Sequence, residues 1–546
     1  MLRRLDHIFT CIENTPLTLG LWAMALMAII GVRVAIELFF ENITFRYADH
    51  FFYQFSHHYL TFTCIYLAAL PVVVWFARVN VRKAALILLF GFMIIWTPPI
   101  VDEIISRGAG FWSFYSFDSL RGLGERYLTF FGDKPDVGIT YGVRFEIGTV
   151  LILMALYTWV RTRNFWRTVL GTLTLYTVLF IIGVLPSLIT FALLAPEKGL
   201  LAVTELDVAR VMLSPEPLFI LNPPAVSAVL AVKMGLAYTL LLPLLIFGLL
   251  MLFFRPILRA LWANLRLPQT LYHLGLFLIG AGLVFLYEGK SAFVLNWLHW
   301  AGLISMLMAV VLAWVTSVIV NDLHDTRIDA LTNPHRPLIT GAIDRATYST
   351  IGLLTFAFSI FCSAYVSTQL AFLLILYQGT AWIYSAPPLR LKRFPGIATL
   401  LASSASLLIF FGGFIVFSLN KNIESLPWPV ALLLFLAYLV LLPIKDFKDI
   451  PGDKADGVQT LPIIWGEIRA KRLIGAAAFA CFILSVFAFD VRHFFPLAFF
   501  FGSLSYWILQ LSSAEHRYFS YHKLSGWYIL LVTGYVFFLA LHFLSR

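Results

Sequence analysis

The sequence predicts an all-α polytopic membrane protein with about fifteen transmembrane helices. Of its 546 residues, 60% are hydrophobic and 12% are charged, and that charged share is about half that of a soluble domain. Apolar runs of roughly 20 residues, which are long enough to cross a bilayer, recur along the whole chain. Each run must be helical, because a backbone that faces lipid has to satisfy its own hydrogen bonds.

The predicted spans form two groups, separated by a basic, proline-containing linker at residues 255–270. Six spans precede the linker, near residues 17–40, 58–77, 84–100, 142–160, 168–195 and 226–254. Nine follow it, near residues 271–287, 297–320, 347–366, 369–387, 396–418, 427–444, 471–489, 493–511 and 525–544. We therefore predict an N-terminal transmembrane region, residues 1–265, and a C-terminal helical domain, residues 266–546.

Basic residues cluster at the ends of the predicted spans. The clusters that account for much of the net charge of +10 are Arg78/Arg82/Lys83, Arg161/Arg163/Arg167, Arg255/Arg259/Arg266, Arg390/Lys392/Arg393 and Arg469/Lys471/Arg472. With a cytoplasmic N-terminus every cluster falls on the cytoplasmic side, as the positive-inside rule requires. The charge therefore indicates membrane topology and no nucleic-acid partner. The first apolar run lacks an A-x-A-like cleavage site, so we interpret it as a retained span.

An acidic motif follows the second span of the C-terminal group. In "NDLHDTRID" Asn321 precedes Asp322, Asp325 and Asp329. On a continuing helix the three carboxylates share one face, because residues three, four and seven apart align. Carboxylates this close repel one another unless a cation lies among them.

A second acidic motif stands at the end of a later span on the same side of the membrane. In "KDFKDIPGD" the acidic residues Asp446, Asp449 and Asp453 repeat the spacing of three and seven. Pro451 and Gly452 predict the end of the helix, which places Asp453 on a loop that bends back. Two such clusters on one membrane face can converge in a helical bundle.

The two motifs together fit a metal-bound diphosphate. Mg²⁺ is usually held by one or two carboxylates together with substrate phosphates and waters. Arginine and lysine match phosphate oxygens, and basic residues stand beside both motifs: Arg336, Arg390, Lys392, Arg393, Lys445 and Lys448. An apolar substrate with a diphosphate head would place its tail among the helices and its head at the cytoplasmic rim. Metal and basic groups there would stabilise a departing diphosphate.

These residues resemble the UbiA superfamily of intramembrane prenyltransferases. "NDLHDTRID" and "RPLITG" are similar to its N-D-x-x-D-x-x-x-D and R-P-L-x-x-G signatures. "YSAPPLRLKR" is similar to its Y-S-x-P-P-x-R-x-K-R loop, and "KDFKDIPGDKADGVQTLP" to its second aspartate motif. The nine predicted spans agree with the nine-helix bundle of that family. The resemblance covers about half of the chain, and residues 1–265 have no counterpart in the ordinary family member.

The resemblance implies Mg²⁺-dependent transfer of a prenyl group from a prenyl diphosphate to a lipophilic or aromatic acceptor. It implies catalytic roles for Asp322, Asp325, Asp446 and Asp449, and metal binding by these four with Asp329 and Asp453. It also implies diphosphate binding by Asn321, Arg336, Arg390, Lys392, Arg393 and Lys445, and a substrate pocket that includes Tyr384. Membrane lipids are further partners of such a protein. We expect it in the cell or inner membrane, with the active site facing the cytoplasm.

The spacer between the first acidic motif and the following arginine bears on the donor. The short stretch from Asp329 to Arg336 resembles the chlorophyll synthase and digeranylgeranylglyceryl phosphate synthase branch, which favours a geranylgeranyl or similar chain. Two alternatives stay open: a phosphoribosyl-type transfer onto a polyprenyl phosphate, and a non-catalytic lipid-binding or transport protein. Transport is disfavoured because the acidic residues gather at one membrane face and not at the midplane, where transporter sites lie.

The N-terminal region carries ionisable residues in or near its predicted spans: Arg33, Glu37, Arg144, Glu146 and Lys233. Such residues are costly in a bilayer and indicate either a functional site or ion pairs between helices. Arg33 and Glu37 are four residues apart, a spacing that allows them to pair on a helix. The external segment 101–141 mixes aromatic with charged residues, and we expect short amphipathic helices along the outer interface.

Overall fold

The computed structural model describes residues 2–40, 48–106, 115–132, 139–216, 228–288, 296–394, 396–455 and 457–544. These residues form helices joined by short turns, and no strand occurs among them. The all-α prediction is therefore confirmed. The chain divides into two compact units, Met1–Leu258 with Leu295–Gly302, and Arg259–Val294 with Leu303–Arg546. Each unit is described by itself.

Eleven α-helices of the described residues lie wholly within the first unit. They are α1 (Leu2–Glu13), α2 (Leu19–Phe40), α3 (Ala48–Ala77), α4 (Val81–Phe92), α5 (Thr97–Ser106), α6 (Leu120–Leu128), α7 (Tyr141–Thr162), α8 (Phe165–Gly183), α9 (Leu185–Lys198), α10 (Glu205–Leu213) and α11 (Val229–Phe253). Part of its core lies where α3, α4, α7 and α8 pack around Val73, Ala84, Tyr157 and Leu175.

Four of the five ionisable residues of the first unit that the sequence singles out lie in structural contacts: Arg33, Glu37, Arg144 and Lys233. Arg33 donates to Glu37 at 2.8 Å, which confirms that pair. Arg144 donates to the carbonyl oxygen of Gly132 at 2.6 Å, and Lys233 donates to that of Val211 at 2.6 Å. Of the external segment 101–141, α6 is a short helix as expected, while residues 107–114 and 133–138 lie outside the described part.

The second unit is a helical bundle preceded by the linker helix. Its helices are α12 (Arg255–Ala263), α13 (Leu267–Tyr287), α14 (Trp297–His324), α15 (Thr326–Thr332), α16 (Arg345–Ala364), α17 (Thr368–Ser385), α18 (Ile397–Phe417), α19 (Trp428–Leu441), α20 (Ile450–Ala455), α21 (Leu461–Trp465), α22 (Glu467–Ala488), α23 (Phe495–Leu511) and α24 (Tyr521–Leu544). Nine of those described helices are long: α13, α14, α16, α17, α18, α19, α22, α23 and α24. They correspond to the nine predicted spans of the C-terminal group.

Fourteen helices among the described residues are long and apolar enough to cross a membrane. The fifteenth predicted span is present as the 18-residue helix α17, whose Gln369 and Gln378 make it less apolar. The predicted span 168–195 is wrong as one helix, because α8 ends at Gly183 and α9 begins at Leu185. Pro186 explains the break, since proline lacks an N–H group and clashes with the carbonyl four residues earlier.

Two glycines allow α13 and α18 to pack closely. A Cβ atom at Gly280 would lie 2.1 Å from the carbonyl oxygen of Phe410, and one at Gly413 would lie 2.0 Å from that of Phe277. Helices in membranes often approach through such small residues, which bring the two backbones into direct contact. This crossing fixes the two helices whose first turns border the site described below.

Candidate functional site

A cavity of about 300 Å³ opens at the end of the second unit where α14, α17 and α19 finish and α13 and α18 begin. Its charged and polar lining includes Arg266, Asn321, Asp325, Asp329, Arg336, Tyr384, Lys392, Lys445, Asp446, Lys448, Asp449 and Asp453. Aspartates from both acidic motifs therefore line one cavity. Arg390 and Arg393 are not among the lining residues, although Arg390 contacts one of the aspartates.

The first acidic motif does not continue as one helix, which corrects the expectation of a shared face. Helix α14 ends at His324, and Asp325 adopts φ −110° and ψ 18° before α15 begins at Thr326. The break separates the three carboxylates, which pair with different cations. Arg336 lies between Asp322 and Asp329, whereas Asp325 accepts from Lys392 and, at 3.1 Å, from Arg390.

Asp322 does not line the cavity and has the most hydrogen-bond partners of these carboxylates. Its Oδ1 accepts from Arg266 and from Arg336, each at 2.6 Å. Its Oδ2 accepts from Asn264 at 2.7 Å and from the Tyr348 hydroxyl at 2.9 Å. Asp322 is only 2% exposed and does not appear in the cavity lining, although Arg336 joins it to Asp329.

The second acidic motif follows α19 through a 3-10 segment, Leu442–Phe447. This segment ends before Pro451, as expected, but Pro451 and Gly452 then lie in the first turn of a new helix, α20. Proline is tolerated there, since the first N–H groups of a helix have no partner within it. Asp453 consequently lies on a helix and not on a loop, and its N–H donates to the Asp449 carbonyl at 2.9 Å.

Gly452 permits the two motifs to approach each other. A Cβ atom at this position would lie 2.7 Å from Thr332 Cγ2 and 3.0 Å from Ile328 Cγ2, both on α15. These distances are shorter than van der Waals contact. The absence of a side chain at Gly452 therefore lets α20, which carries Asp453, pack against α15, which carries Asp329.

Negative charge is less completely neutralised around the second motif than around the first. Burial and the charges of Asp446 and Asp449 raise the pKa of Asp453 to about 7, with Lys392 opposing them. Burial also raises the pKa of Asp329 to about 6, although Arg336 holds it down. Lys448 lies 3.6 Å from Asp449. The crowded carboxylates therefore leave an excess of negative charge, which a further cation would neutralise.

The donor set at the cavity suits a hard divalent cation. Within the described part of the chain no three acidic, histidine or cysteine side chains already stand close enough to hold a metal. The oxygen donors that line the cavity are Asp325, Asp329, Asp446, Asp449 and Asp453. Mg²⁺ accepts few protein carboxylates and completes its shell with phosphate and water oxygens. Separated carboxylates around a cavity fit that requirement.

Below the charged mouth the cavity is mostly aromatic and apolar. Trp314, Val318 and Tyr377 line this part, together with small residues of α18 such as Ala402. Tyr377 and His273 lie 2.9 Å apart and His273 stacks on Trp314 at 4.4 Å, whereas the buried Trp314 Nε1 has no hydrogen-bond partner among the described residues. An apolar chain can occupy this part while its polar head stays at the mouth.

Two further predicted residues take supporting positions. Asn321 accepts a hydrogen bond from Ser385 Oγ at 3.1 Å, which fixes the end of α14 against the end of α17. Lys445 lies 5.7 Å from the centre of the Tyr384 ring, within the range of a cation–π contact. Arg393 is exposed.

Sequence reasoning missed Asn264, Arg266 and Tyr348 as site residues. Sequence patterns place Arg266 only in a basic cluster at the end of a span, because no local spacing connects it to its partner Asp322, 56 residues away. The sequence does contain a signal, since Asn264 and Arg266 stand just before the Leu-Pro start of α13.

Residues 277–524 match the model of the UbiA prenyltransferase family. The chain is 31% identical over 196 residues to digeranylgeranylglyceryl phosphate synthase of Methanoregula boonei, an alignment covering 35% of this chain and 66% of the relative. It is 35% identical over 161 residues to the chloroplastic chlorophyll synthase of Arabidopsis thaliana, covering 28% of this chain and 41% of the relative. The alignments thus span about two fifths to just under two thirds of these relatives.

A solved structure of a UbiA homolog from Archaeoglobus fulgidus, bound to GPP and Mg²⁺, superposes with a TM-score of 0.40 at 18% identity. The superposition covers 51% of this chain and 99% of that one. The family match and the relatives of the two synthase types confirm the resemblance that the sequence motifs predict.

Proposed function

We propose, from the premise that residues 277–524 form a UbiA prenyltransferase family domain, that this integral membrane protein transfers a prenyl group from a prenyl diphosphate to a lipophilic or aromatic acceptor. The observation that carries the proposal is the convergence of both acidic motifs on one cavity with a charged mouth and an apolar interior. A metal-bound diphosphate matches the mouth, and a prenyl chain matches the interior.

The charged mouth would bind the donor head. Asp325, Asp329, Asp446, Asp449 and Asp453 would hold Mg²⁺, which neutralises diphosphate charge and so favours its departure. Arg336, Lys392 and Lys445 line the same mouth and would donate hydrogen bonds to diphosphate oxygens, with arginine matching two oxygens at once. These bonds strengthen as negative charge develops on the leaving group, so they lower the barrier to reaction.

The apolar interior would protect the reacting carbon. When the bond between donor C1 and the bridging oxygen breaks, its electron pair leaves with diphosphate and C1 becomes electron-poor. The acceptor then forms the new bond to C1 and loses a proton. Trp314, Val318 and Tyr377 exclude water from the interior, which prevents hydrolysis of the donor. The Tyr384 ring, already in contact with the Lys445 cation, is placed to face positive charge at the mouth.

The active site would face the cytoplasm. The cavity opens at the end of the bundle that carries Arg266, Arg336, Lys392 and Lys445, and basic residues are enriched on the cytoplasmic side of membrane proteins. Soluble Mg²⁺ and a prenyl diphosphate head would therefore reach the mouth from that compartment. Geranylgeranyl diphosphate is the first donor to test, because of the short spacer between Asp329 and Arg336.

The test is release of diphosphate from geranylgeranyl diphosphate by the purified full chain in lipid, with and without Mg²⁺ and with a membrane lipid extract as the source of acceptor. We expect Mg²⁺-dependent release and a prenylated lipid detectable by mass spectrometry. Asp325→Ala serves as the blank. Release from phosphoribosyl diphosphate instead, or no release from prenyl diphosphates of any chain length, would contradict the proposal.

A further inference from the structure

The residue that joins the linker to α13 belongs to the same cavity as the acidic motifs. Arg266 directly precedes α13 and lies outside residues 277–524, which match the family model. It nonetheless lines the cavity together with Asp325, Asp329 and Arg336. Its backbone adopts φ 52°, a left-handed conformation that turns the chain sharply at this point. The basic linker thus contributes a guanidinium group to the mouth.

Asp322 links this guanidinium to Arg336. Its Oδ1 accepts from Arg266 Nη2 and from Arg336 Nη1, each at 2.6 Å. Asn264 and Tyr348 donate to its Oδ2, so the carboxylate is held from both sides. A carboxylate that bridges two arginines fixes their side chains and offsets part of their mutual repulsion. Because Asp322 does not line the cavity, this bridging role explains its presence better than metal binding does.

The remaining donors of Arg266 are available to a ligand. A guanidinium group carries five N–H donors in a rigid fork, and among the described residues Arg266 makes one ion pair, with Asp322. An anion in the cavity can accept from the rest of this fork, because Arg266 lines that cavity. A diphosphate carries several oxygens that can accept from two neighbouring guanidinium groups.

We infer that Arg266 is a second arginine that binds the donor diphosphate, and that Asp322 is a positioning residue that holds Arg266 and Arg336 at the mouth of the cavity. The inference rests on the proposed function, because it assigns a further contact to the same diphosphate. It also means that the diphosphate site begins in the linker, eleven residues before the matched family segment.

The test is calorimetric binding of inorganic diphosphate, with Mg²⁺ present, to the full chain in lipid nanodiscs. Arg266→Gln is expected to weaken binding at least about 10-fold, as for loss of a hydrogen bond to a charged group. Arg259→Gln is the matched control, because Arg259 is exposed and does not line the cavity. Binding of geranylgeraniol, which has the tail without the diphosphate, is expected to stay unchanged in both variants.

A folded Arg266→Gln variant that binds diphosphate as the wild type does would overturn the inference. If that variant does not fold, Arg266→Gln combined with Asp322→Asn removes both partners of the ion pair. Its diphosphate affinity is then compared with that of Asp322→Asn alone, and equal affinities would again overturn the inference. Wild-type protein that binds no diphosphate would instead contradict the proposed function, so the two failures are distinguishable.

Discussion

The two units differ in where their buried charged side chains lie: in a closed cluster in the first unit, and around a cavity in the second. In the first unit, buried Glu13 is surrounded by Arg161 at 2.6 Å, Lys83 at 3.0 Å and the Tyr157 hydroxyl at 2.9 Å. That cluster is closed, and the cavity of about 380 Å³ described in this unit has no charged side chain in its lining. In the second unit, carboxylates and cations line an open cavity. In the first unit, the paired charges therefore have a structural role. In the second unit, the charges line an accessible cavity, which marks a binding site.

Loss of one carboxylate from either motif gives the largest expected effect. Asp325→Ala and Asp449→Ala are each expected to reduce turnover by at least about 100-fold, the scale for removing a group that stabilises a transition state. Because residues that act as one unit are non-additive, the double variant is expected to be no worse than either single one. Initial rates of diphosphate release measure all three.

The matched control is Asp490→Ala, since the Asp490 side chain is 89% exposed and does not line the cavity. It is expected to keep wild-type turnover. Independent, multiplicative losses in the double variant would show that the two motifs do not share one site.

A smaller loss is expected when the two motifs are pushed apart. Gly452→Ala places a methyl group within 2.7 Å of Thr332 and 3.0 Å of Ile328, so α20 must shift away from α15. A displacement of about 1 Å at a catalytic site can cost roughly 100-fold in rate, and we expect a loss of about 10- to 100-fold with normal insertion into the membrane.

Thr332→Ser provides the rescue for this variant. It removes the Cγ2 atom that lies nearest while keeping a hydroxyl to donate to the Ile328 carbonyl, as Thr332 does at 3.0 Å. Steady-state kinetics of Gly452→Ala with and without Thr332→Ser decide the matter. Wild-type activity in Gly452→Ala alone would contradict the claim that the packing of α20 against α15 determines the geometry of the site.

The smallest effect on activity is expected in the first unit. Glu13→Gln leaves Arg161 and Lys83 without their shared carboxylate, and removing one partner of a buried ion pair costs up to about 3 kcal/mol. Thermal unfolding in detergent is expected to shift to lower temperature, while KM for the prenyl diphosphate stays unchanged. A raised KM with normal thermal stability would show that charge in the first unit serves the substrate.

Much of the helical framework follows from the sequence, because apolar length determines it. The helix at Tyr141–Thr162 and its neighbours lie where the runs predict, and the Arg33–Glu37 pair follows from helical spacing alone. Pro186 marks the break between α8 and α9 in the sequence. The apolar run continues through it, however, so hydrophobicity alone predicts a single span.

The site was predictable in its composition and less so in its geometry. The acidic motifs and their basic neighbours were identified, but the helix break at Asp325 and the helix through Pro451–Gly452 depend on tertiary packing. The contact of Arg266 with Asp322 joins residues 56 positions apart. Sequence periodicity does not report a contact between residues so far apart, so the sequence does not predict this ion pair.

The measurement that tests the central claim most directly is a titration of Mn²⁺, as a paramagnetic substitute for Mg²⁺, monitored by electron paramagnetic resonance. Mn²⁺ takes the same carboxylate and phosphate oxygens. The account predicts tight Mn²⁺ binding by the wild type when inorganic diphosphate is present, and its loss in Asp325→Ala and in Asp449→Ala alike. Wild-type Mn²⁺ binding in either variant would contradict a single metal–diphosphate site built by both motifs.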